Sequence, residues 1–308
     1  LFGRKRVSRG FYYASCWLVM AGAWLSALWI LIANSWQQTP RGYKVEDGKA
    51  VLTDFWAAAF NPSTAPRYAH TMAGALIAGC FVVASIAAWY LLKRRHLHFA
   101  RQAMKSTLIA GLVVSAAMPF IGHWHALEVA EEQPVKMAAF ESVYETGPNA
   151  TLWLAGWVRD GGKSVTGVGI PSGLSLMLGL DPDHVVTGLA SVPATDRPPV
   201  QLTFQSYHIM IALPFLFIAI MLVALVLLLL KRLENARWML WVLVVSFPLP
   251  LLALNMGWMA AEVGRQPWVV QGLLRTEDGV SPVVSAGEVW TTLGLFVAVY
   301  AVLFVAWL

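Results

Sequence analysis

Six long apolar runs constrain the fold of this chain more than any other feature of its sequence. A helix needs about 20 mostly apolar residues to cross the hydrocarbon core of a bilayer. The runs are residues 11–33, 68–92, 103–121, 204–230, 238–263 and 289 to the end. The sequence therefore predicts an all-α fold, a polytopic transmembrane helix bundle with six spans, helices A to F.

The composition supports a surface that faces lipid. Only 13% of the 308 residues are charged and 58% are hydrophobic. A soluble domain carries roughly 25% charged residues. A lipid bilayer is therefore the expected surroundings of most of this surface.

Helix E contains two prolines, Pro248 and Pro250. Neighbouring helices make a proline kink tolerable inside a membrane bundle. The sequence leaves open whether helix E is one kinked helix or two shorter pieces.

Basic residues mark one side of the membrane. Segments 1–10, 93–105 and 231–237 hold twelve of the 22 Lys and Arg residues but only one of the 17 acidic residues, Glu234. Such an excess is typical of cytoplasmic segments. Orientation in the membrane thus explains the net charge of +5, and we expect no nucleic-acid partner.

The predicted spans divide the chain into three parts. Residues 1–121 carry helices A to C, residues 122–203 form a long polar loop outside the cytoplasm, and residues 204–308 carry helices D to F. A loop of this length between spans is usually functional or disordered. The sequence starts at Leu1 and stops within an apolar run, so we expect further residues at both ends.

His70 and Met210 are candidate haem ligands. They lie one to two turns inside helices B and D, near the ends that face away from the cytoplasm. A histidine nitrogen and a methionine thioether can fill both axial positions of a haem iron. Alternatively, the histidine is hydrogen-bonded to a backbone carbonyl and the methionine fills core space.

Glu262 is a candidate site residue near the end of helix E. An ionisable side chain at this depth is costly and usually functional, so it is expected to bind a cation, relay protons or ligate iron. The alternative is an ion pair with Arg265. Trp258 lies one turn earlier on the same face and either stacks on a flat cofactor or belongs to the interfacial tryptophan belt.

Lys136 and Glu141 lie in the loop, in a run that follows Pro134 and can form a short helix. An acid and a base among apolar residues suit the polar headgroup of a substrate with a lipid tail; a solvated loop helix is the alternative. His123 and His125, at the end of helix C, are interpreted as interfacial histidines.

Four sequence runs carry a resemblance to a known family. They are SALWILIANSW at 26–36, NP at 61–62 followed by HT at 70–71, QPVKMAAFE at 133–141 followed by ET at 145–146, and GRQPW at 264–268 followed by GLLRT at 272–276. In this order they resemble subunit I of cytochrome bd-type quinol oxidases, the cytochrome bd ubiquinol oxidase family.

The resemblance implies roles for the candidate residues. His70 and Met210 match the axial ligands of a low-spin haem b, and Glu262 matches the ligand of a high-spin haem b. Trp258 matches a tryptophan beside the haems, and Arg265 the signature arginine, expected near the haem propionates or the loop.

The resemblance also implies an activity. Lys136 and Glu141 match residues implicated in oxidising quinol, for which the loop is called the Q-loop. Electrons would pass through the two haems b to haem d, where oxygen is reduced to water, and a proton gradient would arise without pumping. The expected setting is the bacterial inner membrane, with the Q-loop on the periplasmic side. The expected partner is subunit II, and a small single-span subunit is a further candidate.

Three departures from the family pattern limit what the resemblance implies. About nine spans are expected in a full subunit, and the missing ones precede helix A and carry the histidine ligand of haem d. His208 stands where a relative has arginine, and the Q-loop is short. Two alternatives therefore stay open: a non-catalytic haem b electron-transfer protein, and a haem-free ion transporter.

Overall fold

The computed structural model describes residues 4 and 6–307; Lys5, one of the basic residues counted above, lies outside them. The helices are α1 (Arg9–Gln38), α2 (Phe55–Ala59), α3 (Thr64–Leu92), α4 (Leu97–Glu132), α5 (Pro134–Glu141), α6 (Gly173–Gly179), α7 (Val200–Leu229), α8 (Arg237–Val245), α9 (Pro248–Val263) and α10 (Ala286–Trp307). The strands are β1 (Tyr43–Glu46), β2 (Lys49–Leu52), β3 (Leu152–Arg159), β4 (Ser164–Ile170), β5 (Trp268–Val270) and β6 (Leu274–Arg275). They pair as three antiparallel hairpins, β1–β2, β3–β4 and β5–β6.

The predicted helix bundle is confirmed. Within the described residues, six helical stretches are long and apolar enough to cross a membrane: α1, α2 with α3, α4, the stretch ending in α7, α8 with α9, and α10. The three hairpins lie in the connections between these stretches. We call the end of the bundle next to residues 133–199 the loop end.

The two helices that flank residues 133–199, α4 and α7, both extend beyond their predicted spans at the loop end. Helix α4 continues past residue 121 to Glu132, and α7 begins at Val200. Hydropathy marks where the apolar surroundings end, whereas a helix continues as long as its backbone hydrogen bonds and packing allow. Glu128, in the added part of α4, is buried and accepts a hydrogen bond from Ser63. The connection between α4 and α7 is therefore shorter than predicted, and it contains α5, α6 and the β3–β4 hairpin.

Helix E is two helices. Helix α8 ends at Val245 and α9 begins at Pro248. Proline lacks an amide hydrogen and is favoured in the first turn of a helix, where that hydrogen would have no partner. The sequence left open whether helix E is one kinked helix or two shorter ones. The structure has two, and Pro248 begins the second.

The core lies where α3, α4 and α7 meet. The rings of Phe81 on α3 and Phe217 on α7 are 5.0 Å apart between centroids, and Phe81 is completely buried. A Cβ added at Gly111 on α4 would lie 3.0 Å from the end of the Met221 side chain on α7, closer than an ordinary contact. Small residues let membrane helices approach closely, so Gly111 brings α4 against α7.

Replacing Phe81 with alanine is expected to lower the free energy of unfolding by about 3 kcal/mol, because the vacated volume stays partly empty. Thermal unfolding of the detergent-solubilised protein would measure the change. Val82→Ala is the matched control, since Val82 is 39% exposed on the outside of the same helix. Equal shifts for both variants would contradict this placement of the core.

Helices α1 and α10 present apolar surface to the outside of the chain. Every described side chain of α10 is exposed, and only three residues of α1 are buried. Large apolar surfaces require lipid or another protein as cover. The exposure fits a multi-pass membrane protein that contacts lipid and further helices.

Candidate functional site

A largely apolar cavity of about 370 Å³ lies at the loop end, between α3, α4, α7 and α9. Its volume is within the range of ligand pockets. His70, Met210 and Trp258 all line it, although they come from three different helices. The structure therefore brings three predicted cofactor-binding residues to one cavity.

The His70 imidazole is available to a ligand. It makes no hydrogen bond to any described residue, and its Nδ1 atom is buried. The alternative of a histidine bonded to a backbone carbonyl is thus not observed. Met210 lies against Gly257, where an added Cβ would be 2.9 Å from the thioether sulfur. Glycine at this position leaves room for the Met210 side chain.

His125 belongs to the same cavity, which the sequence interpretation missed. Its ring lies 5.4 Å from that of His70 between centroids. Its Nε2 atom is buried without a hydrogen bond, 3.8 Å from a Glu128 carboxylate oxygen. The sequence interpretation placed His125 at the membrane interface. Its packing against His70 on α3 shows that it faces the cavity instead.

Two buried cations, Arg67 and Lys136, also line the cavity; each is 4% exposed. Among the described residues neither forms an ion pair. Lys136 donates to the neutral Gln38 amide, and Arg67 Nε has no partner. Burial and the nearby Arg67 and Arg265 cations hold the pKa of Lys136 well below its usual value. Glu128 and Glu262 are near enough to attract both cations but do not contact either of them. Buried charges are costly unless they are paired, so this wall suits a ligand that carries carboxylates.

Glu262 and Arg265 lie beside the cavity, against α1. The Glu262 carboxylate accepts hydrogen bonds from Arg265, from Asn34 at 2.9 Å and from Gln38 at 3.4 Å. Arg265 also donates to Gln37 at 3.2 Å. The ion pair with Arg265, which the sequence left as the alternative to a ligand role, is therefore present. A carboxylate has about four acceptor positions, so one position remains for a further ligand.

Glu141 is separated from Lys136 although both lie on α5. Lys136 faces α1 and the cavity, whereas Glu141 faces β3 and α7 and is fully buried. One Glu141 oxygen accepts from the Trp153 amide at 3.0 Å, and the other has no partner. Burial raises the pKa of Glu141 to about 8, and the Trp153 hydrogen bond opposes part of that increase.

His208, on α7, links this acid to the hairpin. Its Nε2 atom is 2.9 Å from the Trp153 carbonyl oxygen and 3.8 Å from a Glu141 oxygen. Its Nδ1 atom is 2.8 Å from the Phe204 carbonyl oxygen. The residue that departs from the family pattern thus contacts the backbone of Trp153, as Glu141 does.

The family profile described as cytochrome bd terminal oxidase subunit I matches residues 1–308. The chain belongs to this family. Cytochrome bd ubiquinol oxidase subunit 1 of Bacillus subtilis is 34% identical over 314 residues, covering 98% of this chain and 67% of the relative. Cytochrome bd-II ubiquinol oxidase subunit 1 of Escherichia coli is 27% identical, covering 99% and 73%.

A solved structure agrees with the bundle. The bd oxidase from Geobacillus thermodenitrificans has a TM-score of 0.87 and 31% identity, covering 98% of this chain and 69% of that chain. The resemblance read from the sequence is therefore confirmed. Membership in the bd oxidase family makes this chain a membrane subunit of an electron-transport oxidoreductase, and it implies haem cofactors and a quinol substrate.

The cavity residues fit one haem of a bd oxidase. A free imidazole and a thioether suit an iron whose other positions a porphyrin fills. The unpaired Arg67 and Lys136 cations suit its carboxylates. Within the part of the chain that the structure describes, no group of three His, Cys, Asp or Glu residues is arranged to hold a bare metal ion.

Proposed function

We propose that this chain is the haem-bearing, quinol-oxidising subunit I of a cytochrome bd-type terminal oxidase, which reduces oxygen to water and generates a proton gradient without pumping. The observation that carries the proposal is the cavity, which His70 and Met210 both line together with two buried cations that form no ion pair among the described residues. The α5 helix, with the proposed quinol residues, borders the same cavity.

His70 and Met210 are the proposed iron ligands of a low-spin haem b, and Arg67 and Lys136 would bind its propionates. When bound, this haem would accept one electron at a time, and the Met210 thioether would raise its reduction potential. His70 and Met210 hold it at the loop end, and Gly257 leaves the space that Met210 occupies.

Glu262 is the proposed ligand of a high-spin haem b. Arg265, Asn34 and Gln38 orient its carboxylate and leave one acceptor position open. Trp258, one turn before Glu262, lines the cavity of His70 and Met210 and is proposed to lie beside the haems. The resemblance assigns the histidine of haem d to a segment outside these 308 residues, so no residue here is proposed for it.

Glu141 and Lys136 are the proposed quinol-oxidation residues. Oxidation of a quinol releases two protons with two electrons, so the site needs a proton acceptor. The unpartnered Glu141 oxygen is suited to this role, because burial brings its pKa to about 8. Lys136 lies on the cavity side of the same helix and is proposed to bind the polar headgroup or a propionate.

The proposed setting is the bacterial inner membrane, with the 133–199 loop on the periplasmic side. The basic segments lie at the opposite end of the spans, as expected for cytoplasmic connections. The exposed apolar faces of α1 and α10 are proposed to contact lipid, subunit II and the remaining helices of subunit I. A small single-span subunit is a further proposed partner.

A visible spectrum and an oxygen electrode test this function on the purified complex. We expect haem b bands, a chlorin band from haem d and oxygen consumption that depends on added quinol. Haem b bands without oxygen consumption would favour the electron-transfer alternative. A preparation without a Soret band would favour the ion transporter.

A further inference from the structure

Strand β3 has an edge that no other strand of the described chain covers. Among the described residues the β3–β4 sheet has two strands, and an unpaired edge leaves amide and carbonyl groups without partners. Helix α7 lies along this edge with Gln201, Gln205 and His208. Their spacing of four and three residues places them on one helix face.

Each of these side chains contacts a different backbone group of β3. Gln201 Oε1 accepts from the Val158 amide at 2.9 Å. Gln205 Nε2 donates to the Gly156 carbonyl at 2.7 Å. His208 Nε2 lies 2.9 Å from the Trp153 carbonyl. We call these three residues the α7 ladder; it occupies the place of a third strand.

The end of the ladder is the proposed quinol site. Trp153 connects the ladder to this site, because its carbonyl oxygen contacts His208 and its amide donates to Glu141. Leu152, Trp153 and Leu154 also line the cavity of His70 and Met210. The position of β3 therefore fixes both a cavity wall and the direction of the Glu141 carboxylate.

We propose that the α7 ladder positions β3 and, through Trp153, orients Glu141 toward quinol. Gln201, Gln205 and His208 are thus positioning residues, and the proposal rests on the proposed oxidation of quinol near Glu141. The ladder holds the hairpin on the helix that also carries Met210, so the proposed substrate site and the proposed haem ligand share one rigid support.

The test uses the fact that Gln201 accepts a hydrogen bond from β3, whereas Gln205 donates one to it. Gln205→Glu places a carboxylate oxygen against the Gly156 carbonyl and replaces a hydrogen bond with repulsion. Gln201→Glu keeps an acceptor opposite the Val158 amide, and it removes an Nε2 atom that is buried without a partner. The same chemical change should therefore disrupt the ladder at position 205 and preserve it at position 201.

The measurements are hydrogen exchange of peptides covering β3 and steady-state oxidation of a short-chain quinol, both on the complete oxidase in membranes. Gln205→Glu is expected to increase exchange in β3 and to lower kcat/KM for quinol by about tenfold each, the effect of losing one well-placed hydrogen bond. The haem spectrum should change little. Gln201→Glu should resemble the wild type, as should the control Gln102→Glu on the exposed surface of α4.

Equal effects of Gln205→Glu and Gln201→Glu, or unchanged exchange in Gln205→Glu, would overturn the ladder. Faster exchange with an unchanged kcat/KM for quinol would overturn its role in positioning the quinol site. A wild-type complex that exchanges slowly in β3 but does not oxidise quinol would instead refute the proposed function, so the two failures are distinguishable.

Discussion

Replacing Met210 with leucine is expected to abolish the low-spin haem b spectrum of the assembled oxidase. Leucine has a similar volume and apolar character, so the core should tolerate it, but it has no sulfur to donate to iron. Reduced-minus-oxidised spectra should lose the low-spin band, and electron transfer from quinol should fall with it. Unfolding in detergent should change little, because Met210 is only partly buried at the cavity wall.

Met177→Leu is the matched control, since Met177 lines the same cavity from α6. Its spectrum should equal that of the wild type. A low-spin band retained in Met210→Leu would reject Met210 as the second axial ligand, and a band lost in both variants would indicate a general packing effect.

Replacing Glu141 with glutamine is expected to slow quinol oxidation by about 100-fold or more, the usual contribution of a positioned proton acceptor. Glutamine keeps an oxygen for the Trp153 amide, so α5 and β3 should stay in place. The haem spectrum should be unchanged, because Glu141 does not line the cavity of His70 and Met210. Steady-state turnover with a short-chain quinol measures the loss.

The pH dependence provides a second test of Glu141. With its pKa raised to about 8, the buried acid is mostly protonated at neutral pH, and only its ionised form accepts a proton. Turnover of the wild type should therefore rise as the pH increases through about 8, and this rise should disappear in Glu141→Gln. Glu145→Gln, at an exposed acid in the same loop, should retain it. An identical profile for Glu141→Gln and the wild type would exclude Glu141 as the acceptor.

The sequence predicted the spans better than their ends. Apolar runs located every membrane-length helix in the described chain, because about 20 apolar residues in one run have few alternatives to a spanning helix. The sequence analysis missed the extension of α4 to Glu132, because the polar residues after 121 have the low hydropathy that is typical of a loop. Glu128 is instead buried and bonded to Ser63, a contact between segments far apart in sequence.

The structure groups the candidate residues only partly as the sequence predicted. His70, Met210 and Trp258 share a cavity, whereas Lys136 and Glu141, predicted together, face different sides of α5. Arg67 was not singled out at all. A possible signal was its position one turn before His70, which places an arginine on the cavity face of α3; nothing in the local sequence shows that it lacks an anionic partner.

The sequence by itself determined the membrane-embedded class, the number of spans in the described chain and the family, because hydropathy, charge distribution and contiguous motifs are local properties of the chain. Only the tertiary structure decided which side chains meet: the free His70 ring facing the cavity with Met210, the occupied carboxylate of Glu262, and the α7 ladder on β3. These depend on how each helix is rotated against its neighbours. That rotation is set by packing between residues distant in sequence, such as Gly111 against Met221.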